Sequence, residues 1–196
     1  MPVTKQLRKL SVARVCTLRI ELEGIRPPIW RRFLVAEDIT LARLHVVIQK
    51  VMGWTDSHLH EYLVAGDRFG VPDPEDPDTI SETRIRLRQL LDRGIERFTY
   101  RYDFGDGWQH EIVIEHVSET EAGLSHPQCV AGERAAPPED CGGVHGYEEF
   151  LETIFDPRHP EFSHMRSWAG VWQAEAFDLE AVNRQLQKTR RTPKGH

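Results

Sequence analysis

Residues 100–115, YRYDFGDGWQHEIVIE, constrain the fold of this chain more than any other stretch. Phe98, Tyr100, Tyr102 and Phe104 share one side of a two-residue period, and Trp108, His110, Ile112 and Ile114 repeat it after Gly105-Asp106-Gly107. Successive side chains of a strand point to opposite faces, so alternation on both sides of a glycine-rich break predicts a β-hairpin with one aromatic face. Its tip carries two carboxylates, Asp103 and Asp106, and the returning strand brings His110 back towards them.

The flanking chain supplies the partners such a hairpin needs. Residues 14–23 alternate cleanly, with Cys16, Leu18, Ile20 and Leu22 on one face, which predicts a half-buried strand. Residues 24–28 contain Pro27 and Pro28 and force a turn. A second strand over 29–35 then pairs back on the first, sending Arg31 and Arg32 to opposite faces. Thr40 is an N-cap for a helix over 41–52, in which Leu41, Leu44, Val47, Ile48 and Val51 recur at helical spacing up to Gly53. A strand over 58–65 places His58, His60, Tyr62 and Val64 on one side. Residues 66–83, centred on PDPEDPD, read as a surface loop. Ile85, Leu87, Leu90 and Leu91 give a short helix before the hairpin. Residues 118–146 read as a second irregular region, long enough to cover a site. Helices follow over 147–155 and 177–187, with 156–167 irregular between them. Strands joined by turns favour an antiparallel or mixed sheet, so the expected architecture is α+β, a strongly curled sheet with helices packed on one face. The expected organisation is one domain over 14–187, between a basic arm (1–13) and a basic tail (188–196).

Composition narrows the function classes. With 31 acidic against 25 basic residues the formal charge is −6, which argues against broad binding to nucleic acid or anionic membranes. Basic clusters remain at Lys5, Arg8, Lys9 and Arg14 and at Lys188, Arg190, Arg191 and Lys194; they read as solvated tails. Apolar runs fall far short of the ~18 residues of a membrane span, and no secretory signal is apparent. The three cysteines, Cys16, Cys129 and Cys141, form no paired framework. The expected location is the cytoplasm.

Four motifs carry the chemistry: PPIWRR (27–32), GWTDSHLHEY (53–62), DFGDGWQH (103–110) and PPEDCGGVHGY (137–147). Together, in this order, the chain resembles the plasmid pRiA4b open-reading-frame-three-like family over about residues 15–183. The matching positions include Trp30, Arg31, Trp54, His58, Leu59, His60, Asp103, Phe104, Gly105, Asp106, Trp108, His110, Pro138, Glu139, Asp140, Gly142 and Gly143. The resemblance implies a plasmid or mobile-element setting and a fold similar to an archaeal α+β protein in which strands curl around helices. It implies no catalytic role for any residue.

Several readings of these residues stand side by side. His58, His60, His110, Asp103 and Asp106 could hold a divalent metal, because histidines two apart on a strand point the same way and a carboxylate completes a mixed shell suited to Zn, Mn or Fe. The alternative is that the acids serve the turn and the histidines are hydrogen-bonded in place. His126-x2-Cys129 with Cys141-x3-His145 has the spacing of a structural zinc site. Arg31 and Arg32 could pair with Asp103, Asp106, Glu139 and Asp140 in a network that pins both long loops. Trp30, Trp54, Tyr100, Tyr102, Trp108, Trp168 and Trp172 read as core, or as a stacking groove for a peptide or nucleobase. Asp103-Phe104-Gly105 matches a kinase triplet, but no phosphate loop or catalytic HRD accompanies it.

The expected function is a non-enzymatic binding module for a protein, peptide or nucleic-acid partner. Its groove would be rimmed by DFGDGWQH and PPEDCGG and would use Arg31, Trp54, His58, His60, Asp103, Asp106, Trp108, His110, Glu139 and Asp140. The alternative is a metal-dependent hydrolase or nuclease built on the His/Asp set.

Overall fold

The computed structural model describes residues 13–121 and 123–189. The two terminal clusters fall almost wholly outside them. Eight strands form one sheet in the order β5-β4-β3-β6-β7-β1-β2-β8. In chain order they are β1 (Ala13–Leu22), β2 (Trp30–Ala36), β3 (His60–Val64), β4 (Asp67–Gly70), β5 (Ile80–Ser81), β6 (Arg97–Tyr102), β7 (Trp108–Thr120) and β8 (Gln128–Glu133). All pairings are antiparallel except β4 with β5. Five helices accompany the sheet: α1 (Leu41–Met52), α2 (Leu87–Asp92), α3 (Gly143–Phe155), α4 (Phe162–Ala169) and α5 (Leu179–Gln187). The fold is thus α+β. The expected curl does not close the sheet, which has β5 and β8 as its edges.

The strongest periodicities form the core. Cys16, Leu18, Ile20 and Leu22 on β1 are wholly inaccessible, and the α1 stripe of Leu41, Leu44, Val47, Ile48 and Val51 is buried with them. Each such aliphatic side chain contributes roughly 1.5–3 kcal/mol when fully buried. The Thr40 hydroxyl caps α1 by accepting from the Arg43 amide at 3.3 Å, and Gly53, at φ 88°, ends it.

Three expectations fail at weakly patterned segments. The 66–83 loop begins with β4, hairpinned onto β3, and contributes β5 before turning into α2. The 118–146 region holds the end of β7 and the whole of β8, which lies against β2. Residues 156–167, read as irregular, include most of α4. For the strands the paired backbone, not an apolar face, defines the element. Phe69 is the only buried large side chain on β4, Cys129 is the only buried residue on β8, and α4 buries none.

Candidate functional site

The hairpin tip is organised by Asp103, whose backbone is left-handed at φ 54°. One carboxylate oxygen, Oδ1, accepts from the amides of Gly105 and Asp106 at 3.0 and 3.2 Å and so holds the turn. The other, Oδ2, lies 3.5 Å from His58 Nε2. Asp106 points away, and its Oδ2 accepts from the Gly142 amide at 3.1 Å, just before α3. There the approach is backbone to backbone: a Cβ on Gly143 would stand 2.3 Å from the Asp106 carbonyl oxygen. Only glycine lets α3 dock on the hairpin.

The proline-stiffened PPED segment closes over the loop between α1 and β3. The Trp54 indole donates to the Pro137 carbonyl at 2.9 Å and stacks on Tyr102 at 4.9 Å. Glu139 is held from two sides, by the Tyr102 hydroxyl at 2.6 Å and the Thr55 amide at 3.1 Å. Burial, and then the hydrogen bond to Glu139, push the Tyr102 phenol well above its ordinary pKa. With Glu139 fixed, Asp140 comes 3.0 Å from His58 Nε2. His58, Asp103 and Asp140 offer ligand atoms within 4.8 Å of one another, the one such group among the described residues.

The five residues expected to share a metal are therefore divided. Register explains why. His60 stands opposite Tyr102, which in turn stands opposite Trp108, whereas His110 stands opposite Tyr100, with β6 lying between β3 and β7. These strands are about 10 Å apart with the β6 aromatics between them, and neither histidine groups with Asp103 or Asp106 as ligands among the described residues. His60 instead bonds Glu82 at 2.8 Å and stacks face to face on His45 at 3.4 Å. His110 is fully buried, with Nδ1 3.3 Å from the Tyr100 carbonyl and Nε2 without a hydrogen-bond partner. Burial pushes its pKa down to about 3, so the ring is neutral. His45 was not singled out in the sequence because it sits inside an ordinary helical pattern. It links the Tyr100 hydroxyl and Asp56, each at 2.7 Å, and burial, followed by the neighbouring His60, lowers its pKa.

Arg31 does not reach any carboxylate. Its guanidinium lies in the interior, 2 % exposed, and donates to the carbonyls of Val51, Trp30, Glu133 and Arg134 at 2.7–2.8 Å. Burial pushes its pKa down to about 10. Arg32 is on the outer face, paired with Glu115 at 2.5 and 2.9 Å. The expected arginine network to Asp103, Asp106, Glu139 and Asp140 is thus replaced by backbone capping on one side and a surface ion pair on the other. Nor do the cysteine and histidine pairs meet. Cys129 is buried and contacts the Arg32 and Ala131 carbonyls at 3.5 Å, His126 is half-buried and bonds Ser125 at 2.8 Å, and the His145 side chain is 96 % exposed. Trp54, Tyr100, Tyr102 and Trp108 are buried, which makes them core and not a stacking groove.

The open recess lies elsewhere, in a cleft of about 560 Å³ between α3 and α4 that begins at Asp140 and Cys141. Phe150, Met165 and Trp168 give it an apolar floor, and Asp140, Glu149, Glu152 and Glu161 line it with carboxylates. Its lining contains no lysine or arginine. Trp168 stands edge-on to Phe150 at 5.6 Å and remains 47 % exposed. The PPEDCGG segment therefore does rim a recess, whereas DFGDGWQH only supports it from below, through Asp106. Asp140, Cys141 and Trp168 are among the residues the sequence singles out, whereas the other cleft residues are not, because the sequence does not predict α4.

An open, almost wholly antiparallel sheet, with a hairpin tip that clamps a proline-stiffened segment and the helix after it, defines the class of α+β protein involved. The chain belongs to the plasmid pRiA4b ORF-3-like family, whose model matches residues 14–185. It is 40% identical over 174 residues to the uncharacterized protein y4hQ of Sinorhizobium fredii, covering 88% of each chain. It is also similar to the crystal structure of MM3350 from Methanosarcina mazei Go1, described as a protein of unknown function. That likeness has a TM-score of 0.79 and 39% identity, covering 86% of this chain and 97% of that one. Among the described residues no helix is long and apolar enough to cross a membrane.

Proposed function

We propose that the protein is a binding module whose α3–α4 cleft takes a basic peptide segment carrying one large apolar side chain. The observation that carries this reading is the cleft's make-up, an apolar floor with four carboxylates and neither lysine nor arginine among its lining residues. Among the described residues, no basic side chain pairs with Glu149, Glu152 or Glu161 in an ion pair, so their charge is available to a partner. Apolar anchors in a recess supply affinity, and a like-signed rim selects partner charge and speeds encounter. The same rim repels nucleic-acid phosphates.

The test is calorimetric titration of the full chain with two peptides that share a central Leu or Trp, one flanked by lysines and one by glutamates. The basic peptide binds, more weakly as salt rises. Glu149→Gln with Glu152→Gln weakens it by roughly threefold to tenfold, as expected for two exposed charge pairs. Equal capture of the acidic peptide, or indifference to both substitutions, sinks the reading.

A further inference from the structure

We propose that His58, Asp103 and Asp140 form a divalent-cation site at the corner where the hairpin tip, the α1–β3 loop and the PPED segment meet. Three observations support it. The first is spacing. In a shell with bonds of about 2.1 Å to nitrogen and oxygen, adjacent ligand atoms stand roughly 3.0 Å apart if octahedral and about 3.4 Å apart if tetrahedral. His58 Nε2 lies 3.0 Å from Asp140 Oδ1 and 3.5 Å from Asp103 Oδ2.

The second is that neither contact is a hydrogen bond. His58 Nε2 is shielded from solvent and has no partner of acceptable geometry, although two carboxylate oxygens crowd it. A buried ring nitrogen normally finds a donor or acceptor. Here the Asp140 oxygen, at 3.0 Å, lies off the direction in which an N–H would point and the Asp103 oxygen stands back at 3.5 Å, an arrangement that suits three atoms converging on a common ion.

The third is that the backbones of Asp103 and Asp140 are positioned by neighbouring groups, not by contact with each other. Asp103 spends only Oδ1 on the turn, and its amide donates to the Leu59 carbonyl at 2.9 Å, tying it to the residue after His58. Asp140 lies between Glu139, clamped by Tyr102 and Thr55, and the Gly142 amide, held by Asp106. Its own side chain is 71% exposed, which leaves it free to close on an ion. One imidazole with two carboxylates suits Mn, Fe or Zn better than Ca or Mg, which take oxygen ligands, and better than soft ions, which take thiolates.

The full chain, purified without a histidine tag and stripped with chelator, is titrated with Mn²⁺, Zn²⁺ and, as a spectroscopic probe, Co²⁺. The expected result is one equivalent bound, visible Co²⁺ bands without a thiolate charge-transfer band, and at least about tenfold weaker binding in His58→Ala and in Asp140→Asn. Asp140→Asn is the decisive variant, because an exposed side chain can change without unfolding the protein. His126→Ala and His145→Ala leave binding unchanged. Absence of stoichiometric binding for all three ions, or binding indifferent to Asp140→Asn, overturns the proposal. Peptide capture by the metal-stripped protein is read separately, so either idea can fail alone.

Discussion

The polar groups beneath the PPED segment and those on the α3–α4 cleft are of the same kinds but in opposite states. Under the segment nearly every one is consumed by the chain itself. His45 bridges Tyr100 and Asp56, Gln49 donates to the same Tyr100 hydroxyl at 3.1 Å, His60 meets Glu82, and Glu139 meets Tyr102 and Thr55. In the cleft, Glu149, Glu152 and Glu161 stand beside a half-exposed Trp168. A buried polar group must be satisfied where it stands, whereas one left at the surface remains available. The motif-rich side is thus the mount, and the motif-poor cover presents the surface.

The sharpest way to break this comparison is at Arg31, the residue most exposed to misreading as a ligand-binding cation. Arg31→Met keeps the apolar stem but strands the carbonyls of Val51, Glu133 and Arg134 in the interior. Loss of several charge-assisted bonds to buried acceptors costs on the order of 3–5 kcal/mol, so Tm should fall by roughly 10 °C or more in thermal denaturation. A variant with unchanged Tm would return Arg31 to the list of binding residues.

Next in size is the pH dependence written into His110. Its folded pKa, about 3, lies below the unfolded value of about 6.5, so the unfolded chain binds the extra proton. The contribution is intact above the unfolded pKa and is lost as pH falls from there towards the folded value, at about 1.4 kcal/mol per pH unit. Between pH 6 and pH 4 this amounts to roughly 2 kcal/mol. His45, shifted the same way, adds with the same sign. His110→Leu has no proton to gain, so its denaturant midpoint should fall less over that interval than that of the wild-type chain. Parallel curves would show that the ring is not held neutral, and the mount would then be less dry than the structure makes it.

The same contrast explains what the sequence disclosed. Elements with an apolar period were legible: β1, α1 and the β6–β7 hairpin each place large side chains on one face, and that face is the core. β4, β8 and α4 were not, since strand pairing joins the two strands to the sheet and α4 buries no residue, a relation no local pattern reports. At the site, the motifs single out His58, Asp103, Glu139 and Asp140, which lie together in the structure. They misplaced His60 and His110, because those side chains are settled by His45, fifteen positions upstream of His60, and by a register that puts a strand between them.

The smallest effect tests the comparison most directly, because the chemistry of the substitution is identical in the two regions. Glu139→Gln replaces a carboxylate that accepts from a phenol and an amide by an amide whose NH2 must face one of those donors, a loss of about 1–2 kcal/mol. Glu149→Gln alters a cleft carboxylate with no ion pair among the described residues, and its stability should stay within about 0.5 kcal/mol of wild type. Binding should invert the ranking when both are titrated with the lysine-flanked peptide: Glu149→Gln weakens capture, while Glu139→Gln, its segment still held by the Trp54 bond to the Pro137 carbonyl and the Gly142 bond to Asp106, changes it less. Equal stability losses would mean that the cleft acids are as structurally committed as those beneath the PPED segment, and the division of labour between mount and cover would disappear.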